Sequence, residues 1–378
     1  MKTKIILVLV VVLFFAPSPL LAKKGGHPPK DLRQKIFSTV WTRSLKTGPS
    51  AKRYFPESAS PYVGNGKVFA GTHSSNFYAI NEADGKILWI FRSNGPIASQ
   101  PIADESTVYF GNNKGTVYAL DASSGDKRWE YFVGGEILGQ PALQGNSLYV
   151  VTTSREVYCL DAESGSERWN VYIKGFENRF TMRGISPVVA AGERLYIGFA
   201  DGQVVALSSG GGSVVWSLNL AEGNPVFKDV DAAIAVEGGS LYVVGYFGYL
   251  AKLAAGSGQV VWKKEVKSGA DMVLDGSLIY VSSTDGRVVA FDKGSGVRQW
   301  EVALNSGALS APGLIGGYLV VGAENGRGFV FDKNDGRVLQ TLSLTSGVWG
   351  NPFPGDSRVY LLSGSGKVYS IQSILQST

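Results

Sequence analysis

A turn-and-tryptophan unit recurs seven times along this chain, and it constrains the fold more than any other feature. Each copy has an apolar alternating run and a polar turn closed by glycine, and six of the seven have a tryptophan four positions later. The second copy reads TVYALDASSGDKRW and the third EVYCLDAESGSERW. The turn glycines are Gly85, Gly125, Gly165, Gly212, Gly258, Gly296 and Gly336. Their partners are Trp89, Trp129, Trp169, Trp216, Trp262 and Trp300, with Gln340 in the seventh slot. A period of about 40 residues is that of a stacked architecture, in which no unit buries its apolar faces alone. In the second copy four short runs, QPIAD, TVYFGN, TVYALD and KRWEYF, are bounded by Gly, Asn, Asp or Ser. That spacing predicts four antiparallel strands per unit.

The ends of the chain show how the stack finishes. KVYSIQS, near the C-terminus, opens an eighth unit but has no tryptophan after it. The missing half lies near the N-terminus, in STVWTRSL, which contains Trp41. The expectation is therefore all-β: an eight-bladed β-propeller of four-stranded antiparallel blades, closed by N- and C-terminal strands. Closure of this kind removes an open sheet edge. The tryptophans have a structural purpose in such a ring. A blade is a thin wedge, and an indole on its outer strand can cover the next blade, burying about 150–250 Å². Its N–H then needs a backbone carbonyl. The 49 glycines among 378 residues fit the many tight turns, where φ is positive. No stretch has sustained helical periodicity.

Residue counts narrow the chemistry. Cys159 is the only cysteine, so no intramolecular disulfide forms, and its alternating run VYCLDA marks it as a small buried strand residue. The two histidines, His27 and His73, are too few for a His/Cys zinc site. His73 sits just past a strand end and reads as a solvated loop residue. Residues 208–213, SSGGGS, form the turn of the fourth blade with no helix behind it, which argues against phosphate binding. No catalytic, metal-binding or cofactor-binding residue is expected. The first 35 residues carry +6 and residues 36–378 carry −1, which gives the net charge of +5. A nucleic-acid footprint is excluded on that ground.

The N-terminus reads as an export signal. Lys2 and Lys4 precede an apolar run from Ile5 to Phe15, too short to span a bilayer as a helix. The expected organisation is a signal peptide over 1–22, a basic flexible linker over 23–35 and the propeller over 36–378. Leu20-Leu21-Ala22 looks like the start of a lipobox, but Lys23 stands where the lipid-bearing cysteine is required. A periplasmic protein without that anchor is expected.

Two places break the period. From each tryptophan to the proline that opens the next blade the distance is 12 residues for Trp89–Pro101, Trp129–Pro141 and Trp300–Pro312. Gln340–Pro352 is also 12, whereas Trp169–Pro187 is 18, and Trp216 to Ile234, in the proline slot, is 18 as well. The first long connector contains Phe176, Arg179, Phe180, Met182 and Arg183. The second contains Val226, Phe227, Lys228, Asp229 and Asp231. Apolar anchors beside Arg and carboxylates suit a protein-binding patch. They suit equally a channel plug braced by Arg183 on Asp229 or Asp231.

The ALDASSGDKRW unit resembles the tryptophan-docking motif of quinoprotein propellers, over residues 37–373. The chain lacks the adjacent cysteine pair that many quinone-dependent dehydrogenases place over the cofactor, and no loop clusters carboxylates and Asn as a calcium cage would. Order and detail are most similar to the BamB family, propeller subunits of the bacterial outer-membrane β-barrel assembly machinery. VWTRSLKTG, GKVYSI and the stretch from Lys228 to Val266 have the family's look. The resemblance implies a non-catalytic scaffold at the inner face of the outer membrane, bound to the POTRA domains of BamA, and without a cofactor. Unfolded outer-membrane protein segments would be a second partner, joining sheet edges by strand addition. The family's Leu-x-Leu-Arg-Gly pattern falls on Phe180-Thr181-Met182-Arg183-Gly184, and its Asp-Val-Asp on Asp229-Val230-Asp231. The resemblance thus makes Phe180, Met182, Arg183, Asp229 and Asp231 the partner-binding residues. The alternatives are another exported quinoprotein-like propeller used for protein or ligand binding, and a quinone-dependent dehydrogenase.

Overall fold

The computed structural model describes residues 35–45, 57–175, 186–220, 233–245, 248–267 and 269–374. Among them are eight four-stranded antiparallel sheets and no helix. Blades 1 to 7 follow chain order over 62–92, 102–132, 142–172, 189–219, 233–265, 269–303 and 313–343. Within each, consecutive strands are neighbours, so the sheet is a simple meander. First strands of adjacent blades approach one another and form the inner wall, and fourth strands form the rim. The second blade has the four runs the sequence spacing predicts, ending at Thr116–Asp121 and Lys127–Phe132.

Blade 8 is built from both ends of the chain. Phe37–Ser44 pairs antiparallel with Lys367–Ser373, with Trp41 opposite Ser370. The N-terminal strand is therefore the outer strand of the last blade, as the split repeat implies. All eight outer strands, Phe37–Ser44 included, remain free edges. Ring closure does not remove them, and they carry exposed apolar side chains such as Ile87, Leu88 and Ile90.

Alternation explains the packing. Second and third strands are buried on both faces, for example Tyr118 and Ala119 in blade 2, because each sheet is sandwiched between two others. The apolar clusters follow that geometry and fill the seams between blades, such as Val157 and Cys159 against Leu195 and Val205. Cys159 is 1% exposed and faces Trp169 across its hairpin, where Ala79, Ala119, Ala206 and Ala290 face the equivalent tryptophans. A small side chain fills that place in five of the six tryptophan hairpins, and blade 5 puts Lys252 there opposite Trp262.

Each docking contact has two halves. Trp89 lies over Gly125, where φ is +80°, and an added Cβ would sit 2.6 Å from the indole ring. Glycine is required there by backbone conformation and by contact distance together. The indole N–H groups of Trp41, Trp129 and Trp216 donate to Glu82, Ala162 and Ala255 carbonyls at 2.9, 2.9 and 3.0 Å.

Candidate functional site

The two long connectors leave the outer strands of blades 3 and 4 and lead to the inner strands of blades 4 and 5. With one strand order throughout, every such link leaves from the same face of the ring. The residues singled out in them, Phe180, Met182, Arg183, Asp229 and Asp231, lie outside the described residues, as do Phe176, Arg179, Val226, Phe227 and Lys228. The feet of both connectors are described, and both are braced by a cation.

At the first foot stands Arg155, in the turn between the second and third strands of blade 3. Its φ is +66°, a conformation that costs a side-chain-bearing residue about 1–2 kcal/mol. Blades 2, 4, 6, 7 and 8 place Gly115, Gly202, Gly286, Gly326 and Gly366 there, each at positive φ. The guanidinium offsets that cost with contacts on every side. Nε donates to the Ile173 carbonyl at 2.9 Å, one terminal nitrogen pairs with Asp201 Oδ2 at 3.1 Å, and the other donates to Gln203 Oε1. Its plane lies 3.9 Å from the centre of the Phe199 ring. Gln203 in turn donates to Ser217 Oγ at 2.8 Å. Asp201 and Gln203 are buried, so Arg155 links blades 3 and 4 by a desolvated network. The connector backbone passes directly over it: a Cβ on Gly175 would sit 3.0 Å from Asp201 Oδ2. On the return side, Ser186 Oγ accepts the Gly198 N–H at 2.7 Å.

At the second foot the Leu220 N–H donates to the Gly202 carbonyl at 2.9 Å. The Leu220 carbonyl accepts from Lys263 Nζ, which lies 4.5 Å from the centre of the Tyr249 ring. Burial pulls the Lys263 ammonium below the ordinary lysine value. Both connectors thus start from fixed points, which suits loops that present residues to a partner. Arg155 escaped the sequence reading, although its signal was there: a long charged side chain in a turn slot that most other blades fill with glycine.

His73 corrects an expectation. It is not a solvated loop residue: its Nδ1 lies 3.1 Å from Glu57 Oε2, and its backbone N–H donates to the same oxygen at 2.7 Å. Glu57 is fully buried, and its own N–H reaches the Gly364 carbonyl of blade 8 at 3.0 Å. The pair fastens blade 1 to blade 8. Among the described residues no group of three or more His, Cys, Asp or Glu is placed to hold a metal ion.

One carboxyl group on the inner wall is strongly perturbed. Asp271, on the first strand of blade 6, accepts from the Met272 N–H at 2.6 Å and from Asn351 Nδ2 at 2.9 Å. Asn351 precedes blade 8, and it also accepts the Ala311 N–H at 3.3 Å and donates its own N–H to Ser60 Oγ at 2.7 Å. Four blades meet at this amide, around the ring axis. Asp271 keeps some exposed area, but the surrounding inner strands desolvate it, and burial pushes its carboxyl up to about 7 from 3.8 despite the two donors. The folded state then holds this proton more tightly than the unfolded chain. Stability is greatest below 3.8 and falls as pH rises from there to about 7. Asp271→Asn removes the titrating group. The variant is expected to gain on the order of 2 kcal/mol over the wild type at about pH 8, and nothing at about pH 4. Thermal unfolding at both pH values checks this; an equal difference at both contradicts it.

The family model described as outer membrane protein assembly factor BamB matches residues 38–130, 101–302 and 284–374. The chain belongs to the BamB family. A curated relative, BamB from Escherichia coli (strain K12), is 28% identical over 198 residues, which is 50% of this chain and 50% of that protein. The match thus spans about half the length of the curated relative. BamB from Moraxella catarrhalis superposes with a TM-score of 0.78 at 24% identity, covering 89% of this chain and 100% of that one. Quinohemoprotein alcohol dehydrogenase from Comamonas testosteroni superposes at 0.69 with 14% identity, covering 89% of this chain and 76% of that one. At these identities the two superpositions speak for the fold alone.

Proposed function

We propose that the chain is a non-catalytic, exported scaffold of outer-membrane protein assembly that binds the POTRA domains of a BamA-like partner through its two long connectors. The observation that carries this reading is the match to the BamB family along nearly the whole ring, with its two long connectors in adjacent blades. In this reading residues 1–22 are the signal peptide, 23–35 the linker and 36–378 the functional ring. Phe180 and Met182 supply apolar anchors, Arg183 a bidentate cation, and Asp229 and Asp231 the facing carboxylates. The mechanism is positional. A rigid ring with braced loop feet holds the partner's chain of domains in one orientation on the periplasmic side, near incoming β-barrel proteins.

The test is binding of purified residues 23–378 to the POTRA region of BamA from the same organism. Arg183→Glu and Asp229→Lys are each expected to weaken saturable binding at least about tenfold, with the circular dichroism spectrum unchanged. Binding retained by both variants removes the connectors from the proposal. No binding by the folded wild type overturns the partner.

A further inference from the structure

The seam between blades 5 and 6 departs from the others. Two positions after the docking tryptophan, an outer-strand side chain points at the third strand of the next blade. Phe91 meets Tyr118 with ring centres 5.3 Å apart, and Tyr131 meets Tyr158 at 6.4 Å. Val171 with Val205, Leu218 with Ala251, Val302 with Phe329 and Leu342 with Tyr369 make the same apolar contact in four further seams. Between blades 8 and 1 the two places hold Arg43 and the buried Tyr78, and Arg43 spends its Nε on the Gly85 carbonyl. Between blades 5 and 6 the two places hold Lys264 and Val289, and neither fills the gap.

What remains is a pocket of about 620 Å³, within the range of small-molecule sites. Val266, Val289 and Phe291 give it an apolar floor. Four cations, Lys264, Lys267, Arg287 and Arg298, line it against two carboxylates, Glu265 and Glu301. Glu301 is held by Arg287 and Arg298 together, and Arg287 also pairs with Asp285 at 2.9 Å. Among the described residues Lys264 and Lys267 have no ion-pair partner. Glu265 has no ion-pair partner among the described residues either, so the pocket offers one net positive charge above an apolar floor. Its complement is a single negative group on an apolar body.

We propose that this pocket binds an organic anion of that kind, a carboxylate, phosphate or sulfonate carried on an aliphatic or aromatic group. The apolar part occupies the volume a tyrosine takes in blades 2 and 3, and the anion meets Lys264 and Lys267 at the rim. The site is formed by replacing two repeat residues, so it can be unmade by restoring them. Val289→Tyr rebuilds the blade 3 arrangement, in which Tyr158 donates to the Val133 carbonyl at 3.0 Å; Val266 is the matching residue here. Lys264→Leu restores the apolar partner.

The probe is 1-anilinonaphthalene-8-sulfonate, followed by fluorescence and displaced with decanoate, decan-1-ol or inorganic phosphate. Decanoate is expected to displace the probe, while decan-1-ol and phosphate, each lacking half of the recognised chemistry, do not. Val289→Tyr and Lys264→Leu are each expected to weaken decanoate at least about tenfold. Displacement by decan-1-ol as strong as by decanoate overturns the role of the cations. Equal decanoate affinity in the wild type and both folded variants, or no saturation up to about 1 mM, overturns the site. Lys264→Leu leaves the floor untouched, so it decides the matter should Val289→Tyr fail to fold.

Discussion

Trp129→Ala is expected to lower the unfolding free energy by about 3–5 kcal/mol, read as a shift of the urea midpoint followed by circular dichroism. Trp129 is 9% exposed and makes three kinds of contact at once. Its ring covers Gly165, whose Cβ position would be 2.6 Å from Trp129 Cδ2. Its N–H satisfies the Ala162 carbonyl at 2.9 Å, and its ring centre lies 5.9 Å from that of Tyr109. Alanine opens a cavity in the seam between blades 2 and 3 and removes the hydrogen bond to that carbonyl. The facing change, Gly165→Ala, attacks the same contact from the other side. The residue at 165 has a φ of +74°, so a Cβ adds about 1–2 kcal/mol of backbone strain, and overpacking against the indole adds about 1–3 kcal/mol. With the indole gone the overpacking part disappears, so the double variant should cost less than the two single ones together. Strict additivity would show that tryptophan and glycine act separately.

That coupling is also why the fold was legible in the chain. Trp129 and Gly165 are 36 residues apart, close to one repeat, so a contact between blades is written as a spacing along the sequence. The closing strand was legible for the same reason: a unit with no tryptophan at its end and a tryptophan with no unit before it must be two halves of one blade. The extra residues of the two connectors stood out against a constant interval of 12. Contacts outside the repeat were harder to see. The pairing of His73 with Glu57 depends on a segment that precedes the first blade and is not part of any unit. Lys264 and Val289 are each unremarkable in their own strands, and the pocket exists only because they face each other across a seam. Arg155 lies between these cases. Its slot is part of the repeat, so the departure from glycine was readable, but its partners Asp201, Gln203 and Phe199 are in the next blade and are ordered by the fold. The connector residues carry no periodic signal, and Phe180, Met182, Arg183, Asp229 and Asp231 are marked by a family pattern rather than by spacing.

Gln340→Leu should be nearly as costly as the loss of a docking tryptophan, although it changes shape little. Gln340 occupies the tryptophan slot of blade 7, and the next blade shows why the slot changed. A docking indole needs the hairpin turn between third and fourth strands, with its glycine at positive φ. Blade 8 has no such turn, because its fourth strand is Phe37–Ser44 from the other end of the chain. In its place are bare backbone groups, and Gln340 bonds three of them. Its Oε1 accepts the N–H groups of Ile36 and Phe37 at 2.8 and 2.7 Å, and its Nε2 donates to the Phe37 carbonyl at 2.9 Å. Phe37 is fully buried, so leucine leaves polar groups without partners at about 1–3 kcal/mol each. The three bonds are only part-buried, so water takes up some of the loss and the total falls at the low end of that sum, about 3–5 kcal/mol. The loss falls on one element, so Gln340→Leu should open the ring at the N-terminal strand before the other blades unfold. Limited proteolysis followed by mass spectrometry reads this as early cleavage near residues 35–45. Gln340→Trp should not rescue closure, since an indole there has no turn glycine to cover. A released strand also uncovers the edge of Lys367–Ser373, whose free N–H and C=O groups can pair with another chain, so the leucine variant is expected to self-associate more than the wild type. A variant that self-associates no more and is cut no faster than the wild type would mean that strand pairing alone holds the ring shut.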